Sequence, residues 1–159
     1  MSNRMIPSSQ ISEILEGYIG EIFVDASFWI ALMNVRDERY NHARYTWEAI
    51  IGRGLQPVTT NWTLFEALTL LNGRVVARHD WALNLLDLVQ HTTSIENAAA
   101  LEDRAVEVFI SHSDRHWSIV DCANFVCINQ RNCGISLAYD SDFCQAQVEF
   151  GFIRLPICG

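Results

Sequence analysis

Four apolar runs in this chain each carry an acid: IFVDASFWIAL at Asp25, TLFEALTLL at Glu66, SIVDCANFVCI at Asp121 and SLAYDSDF at Asp140. A carboxylate among apolar neighbours costs desolvation unless something pairs with it. The fold must therefore bring each acid to an edge where water, a donor or a cation can meet it.

The apolar runs are short and alternate with longer amphipathic segments, so strands and helices are expected in turn. Residues 22–24 read as a strand ending at Asp25, with Ser27 placed to cap a helix that starts at Phe28. A helix over 41–51 closes at GRG, LQPVTT is a short strand, and NWTLFEALTLLNGR is a helix whose Thr63 and Glu66 have capping-box spacing. Further helices are expected over 79–90 and 98–111, with a short strand at 93–96 between them. Ser118 should cap a helix that Cys133 and Gly134 end; ISLAYD is a strand, SDFCQAQVEF a short helix, and FIRLP a last edge strand. Strands separated by helices specify an α/β sandwich with a mostly parallel sheet. The 159 residues, half of them hydrophobic and only 3 of them proline, suit one folded unit over residues 21–159. Residues 1–20 form an N-terminal extension, in which Ile11, Ile14, Leu15, Tyr18 and Ile19 have the spacing of a short amphipathic helix.

Composition removes several functions. All 11 basic residues are arginine, set against 19 acids for a net charge of −8. Without lysine there is no P-loop, and there is no G-x-G-x-x-G for a dinucleotide. An acidic chain is also a poor bulk binder of nucleic acid, whose non-specific affinity comes from phosphate neutralisation, so any contact with a polyanion must be local, through arginine or metal. No apolar run is long enough to span a membrane and no signal peptide is visible, so a cytoplasmic protein is expected. The five cysteines lack zinc-site spacing and are expected as reduced, mostly buried thiols. The histidines show neither H-x-x-x-H nor H-E-x-x-H.

Each acid has an ordinary structural use: Asp25 can turn the chain, Glu66 can complete a capping box, Asp121 can be the third-position acid of S-x-x-D, and Asp142 can favour a helix dipole. Jointly they fall where strands give way to loops and helix starts, the ligand-binding edge of open α/β sheets. Carboxylates converging there need protons or a cation. An all-oxygen set suits Mg²⁺ or Mn²⁺.

VDAS after a strand, Glu66 in an early helix, SIVDCANF opening a later one and AYDSDF after a late strand resemble, in order and at gaps of 41, 55 and 19 residues, the PIN domain family. The likeness covers about residues 21–156. It implies a three-layer sandwich with a five-stranded sheet, and Mg²⁺- or Mn²⁺-dependent endoribonuclease activity. Small members of this kind are commonly VapC-like toxins of type II toxin–antitoxin pairs, which implies an RNA substrate, a cognate antitoxin and a homodimer. Carried over, Asp25, Glu66, Asp121 and Asp140 match the acidic quartet and Asp142 the accessory acid. Asp25, Asp121, Asp140 and Asp142 would hold the metal, Glu66 would act through a water, and Ser27 matches the small hydroxyl residue supporting the first acid. Val120 departs from the Thr or Ser often found before the third acid, and the N-terminal extension is unusual for a compact toxin.

Arg74 and Arg78, at i, i+4 on one helical face, could guide RNA, and His116 and Trp117 could stack on a base; the other tryptophans read as packing. Two alternatives stay open: a PIN-like binding module without activity, and an unrelated phosphohydrolase with an Asp25 nucleophile. The latter is disfavoured by the lack of D-x-D after the first strand and of any lysine.

Overall fold

The structure is a computed structural model that describes residues 8–159. The first seven residues of the expected extension lie outside the described residues.

Five parallel strands, β1 (Glu21–Val24), β2 (Gln56–Thr60), β3 (Ser94–Glu96), β4 (Ile135–Leu137) and β5 (Ile153–Leu155), form one sheet in the order β3-β2-β1-β4-β5. Parallel neighbours need crossovers, and helices supply them. The helices are α1 (Ser8–Leu15), which precedes the first strand, and the crossover helices α2 (Ala26–Met33), α3 (Tyr40–Gly52), α4 (Asn61–Asn72), α5 (His79–Thr92), α6 (Glu102–Ser111), α7 (Ile119–Arg131) and α8 (Asp142–Phe150). A 3₁₀ turn at Ala98–Leu101 precedes α6, so the single helix expected from residue 98 begins as a tighter turn.

The period-two alternation of β1 divides the core into two layers. Ile22 and Val24, with Ile135 and Leu137 of β4, pack under α1 to α5. Phe23 faces the opposite side, against α6, α7 and α8. Seven consecutive buried residues, Cys122 to Ile128, make α7 a helix enclosed on nearly every side, which explains its lack of a polar face. Helix α1 belongs to the first layer: Ile11 and Leu15 are buried there, whereas Ile19, expected on the same face, lies beyond the helix and is exposed. The Tyr18 hydroxyl donates to the Glu21 carbonyl at 2.7 Å and accepts from the Gly134 amide at 2.9 Å, fixing this segment to the start of the sheet.

Several local expectations need correction. Asp25, not Ser27, caps α2, because Asp25 itself is the extended residue whose carboxylate accepts from the Ser27 amide. Thr60 caps α4 by accepting from the Thr63 amide, so Thr63 and Glu66 are both inside the helix and form no capping box. Helix α7 ends at Asn132 in the left-handed region, before Cys133 and Gly134. Arg74 lies in the turn after α4 and Arg78 just before α5, so they share no helix face; Arg78 pairs with Asp80 and stands over Trp81. Trp117 is buried against Phe125 and Phe150, which removes it as a base platform. The cysteines divide: Cys122, Cys127 and Cys133 are buried thiols, but Cys144 and Cys158 form a disulfide. β5 returns the tail beside α8 and brings those Cα atoms to 5.8 Å, a proximity that spacing alone does not reveal. Among the described residues no helix is long and apolar enough to cross a membrane.

Candidate active site

The carboxyl ends of β1 and β4 meet because the ladder continues one residue past β1: the Asp25 amide donates to the Leu137 carbonyl at 2.9 Å. Ser27 then joins the two strand ends. Its hydroxyl donates to Asp25 Oδ2 at 2.7 Å and accepts from the Tyr139 amide at 2.9 Å, so the first acid and the residue before Asp140 share one hydroxyl.

Asp25, Glu66, Asp121 and Asp140 line one cleft of about 220 Å³, together with Ser27, Ile30, Arg39 and Leu70. The quartet expected from the sequence is thus brought together. Within it the structure draws a finer division. Asp121, Asp140 and Asp142 each offer a carboxylate oxygen within 4.8 Å of the others. Asp25 lines the cleft but stays outside that tight group, and Glu66 enters from α4 on a more exposed surface.

Local structure holds each acid. Asp121 does complete a capping box: it accepts from the Ser118 amide through Oδ2 at 3.2 Å, while its own amide donates to Ser118 Oγ at 3.0 Å. The capping role expected of this residue is thus observed, and the box uses only one of its carboxylate oxygens. Asp140 Oδ1 accepts from the Asp142 amide at 2.9 Å, a turn that sets Asp142 at the start of α8.

Crowding and burial make the charged forms costly. Burial pushes Asp25 up to about 6, against the opposing hydrogen bonds from Ser27, and the Asp140 charge adds to the rise. Burial, followed by the Asp25 charge, pushes Asp121 up to about 7. Glu66 is raised by burial and by the charges of Asp121 and Asp140, and Asp142 by burial and Asp140 against a bond with Asp121. Such a group must take up protons or be neutralised by a cation. Clustered carboxylates raised in this way, with no nitrogen or sulfur donor among them, fit a hard divalent ion.

Asn124 was not singled out by sequence reasoning. It is fully buried one turn beyond Asp121, donates Nδ2 to Asp25 Oδ1 at 3.5 Å, and accepts from Thr63 Oγ1 at 2.6 Å. A polar amide inside an otherwise apolar helix was the available signal, because a buried amide needs partners. Asn124→Ala should leave Asp25 and Thr63 short of partners, and lower stability by about 1–3 kcal/mol in a denaturant titration.

A parallel five-stranded sheet with this acid cluster at its carboxyl edge defines a PIN-type nuclease domain. No family model matches the chain. Two curated relatives, the 23S rRNA-specific endonuclease VapC20 of two Mycobacterium tuberculosis strains, are each 34% identical over 139 residues, covering 84% of this chain and 97% of theirs. The crystal structure of M. tuberculosis VapC20, described as a sarcin-ricin loop cleaving toxin, matches with a TM-score of 0.71 and 32% identity, over 83% of this chain and 96% of that one. The chain belongs to the VapC family of PIN-domain toxin ribonucleases.

Proposed function

We propose that the protein is a divalent-metal-dependent endoribonuclease that cleaves ribosomal RNA and is held in check by a cognate antitoxin. The approach of Asp121, Asp140 and Asp142 to within 4.8 Å, beside the buried Asp25, carries this reading. Similarity to a 23S rRNA-specific enzyme supports the sarcin-ricin loop as the first substrate to try.

Asp25, Asp121, Asp140 and Asp142 would hold Mg²⁺ or Mn²⁺. Bound there, the metal supplies neutralisation of charge on the phosphate and acidification of the attacking water. Glu66, which lines the same cleft from α4, would act through a water. Ser27 and Asn124 keep the Asp25 carboxylate oriented during the displacement. The resemblance implies 5′-phosphate and 3′-hydroxyl ends.

The acidic cleft suits a basic segment of an antitoxin. Exposed Phe65 and Leu70 on α4 and Leu83 on α5 offer an apolar surface for a homodimer. A ribosomal substrate would be met in the cytoplasm.

The test is cleavage of 23S rRNA and of a sarcin-ricin loop oligonucleotide by inhibitor-free protein with Mg²⁺, with Mn²⁺ and with chelator. Cleavage is expected in either metal and absent with chelator. Intact RNA in every condition would place the inactive binding module first.

A further inference from the structure

An acidic nuclease must still hold a polyanion, so the cations near its cleft bear on how RNA enters. Several arginines are paired with acids elsewhere: Arg44 with Glu48, Arg78 with Asp80, Arg104 with Glu107, and Arg131 with Glu21 and Glu96. Arg39 differs. It lines the acid cleft, and it also lines an adjoining open groove of about 600 Å³ formed with Arg36, Asp37, Glu38 and Tyr139. The two depressions share Arg39, and Tyr139 immediately precedes Asp140 in the chain.

The guanidinium is partly preorganised. Its carbon stands 4.7 Å from the Tyr139 ring centroid. That ring is itself fixed, stacked on Phe28 at 5.8 Å with its hydroxyl 2.6 Å from His42 Nδ1. Nε and Nη2 reach Asp37 at 3.1 and 3.4 Å, while Nη1 has no partner among the described residues. The Arg39 side chain is 43% exposed, whereas that of Asp37 is 13% exposed and its Oδ1 also accepts from the Arg39 amide at 2.8 Å. Arg36, on the same groove, has no ion pair among the described residues. A planar fork with a free edge and a second cation alongside suit an RNA phosphodiester.

We propose that the Arg36–Arg39–Tyr139 groove holds the RNA strand next to the scissile bond, with Arg39 taking a backbone phosphate and Tyr139 orienting it. This rests on the ribonuclease reading and extends it, since it assigns the path by which substrate leaves the acid cluster. Asp37 occupies the fork of Arg39 until the phosphate displaces it. Arg39 and Arg36 are binding residues, and the reacting atoms belong to the acids.

The test measures binding of a single-stranded RNA oligonucleotide to cleavage-dead Asp121→Asn over a salt series, alone and with Arg39→Ala, Arg36→Ala or Asp37→Asn added. Arg39→Ala should weaken binding about tenfold, the scale of one charge-assisted contact, and should flatten the log–log salt dependence by about 0.7 per phosphate lost. Asp37→Asn should tighten binding by freeing the fork. In the active protein, Arg39→Ala should raise KM more than it lowers kcat. A merely structural arginine would not move the salt slope, and Arg36, which makes no side-chain ion pair, carries the test if Arg39→Ala does not fold. Unchanged Kd, salt slope and KM in both arginine variants of a protein that cleaves RNA would overturn the groove alone. Wild type that leaves RNA intact in Mg²⁺ and Mn²⁺ overturns the ribonuclease reading and this proposal with it.

Discussion

Asp25→Asn is expected to reduce RNA cleavage by on the order of 10³-fold, the scale on which removing one preorganised electrostatic group is felt, while the protein stays folded. Asp25 is 6% exposed and reaches the cleft from the end of β1, so its charge acts where little water screens it. The amide keeps the shape, and its oxygen can still accept from the Ser27 amide and hydroxyl, so α2 retains its cap, at the loss of the long 3.5 Å contact from Asn124 Nδ2. It loses the negative charge that would help to hold a cation beside Asp121 and Asp140. Without metal at pH 8 the variant should melt no lower than wild type, because burial and the Asp140 charge disfavour the ionised carboxylate. Cleavage assays paired with thermal melts separate this outcome from simple unfolding. Cleavage at the wild-type rate by folded Asp25→Asn would remove the residue from the site.

The layers and the quartet were legible because both follow from local rules. Apolar runs too short for helices, separated by amphipathic stretches, leave few arrangements other than a parallel sheet with crossovers. Acids at the ends of such strands must fall on one edge. What the sequence concealed depended on distant contacts. Ser27 was recognised as a hydroxyl near Asp25, but its acceptance from the Tyr139 amide requires β1 and β4 to be neighbours. Asn124 belongs to the same class, since its partners Asp25 and Thr63 come from other elements. Arg39 is marked by nothing in its own segment, and its place at the cleft is set by its contact with Tyr139, the residue before Asp140. Local capping was misassigned at Ser27 and Thr63 because several hydroxyl and acidic residues stand within three positions of each helix start, and only backbone conformation selects among them.

Crowding of the acids leads to a second large effect, on stability rather than rate: metal-free protein should lose stability as the pH rises from 5 to 8, and Mg²⁺ or Mn²⁺ should restore it. Asp25 and Asp121 are held at about 6 and about 7, above the ordinary aspartate value of 3.8. Between the ordinary and the raised values the native state binds more protons than the unfolded chain, so stability falls as pH rises. The stabilising contribution is complete below 3.8 and is lost as pH passes through 6 to 7. For Asp25 alone, at about 1.4 kcal/mol per pH unit, it amounts to roughly 3 kcal/mol. Two histidines act in the same window with opposite signs: burial lowers His42, whereas for His112 the bonds to Val108 and Glu149 outweigh burial and raise it. Asp37 is lowered, its bonds to Arg39 outweighing burial, so its contribution changes only at lower pH. A bound divalent ion stabilises the ionised acids and adds stability by mass action with its concentration. Denaturant midpoints at pH 5, 6, 7 and 8, with chelator and with millimolar metal, measure both effects. Asp121→Asn should flatten the metal-free slope and diminish the response to metal. A pH slope identical in wild type and Asp121→Asn would mean that the cleft does not hold the strained charge assigned to it.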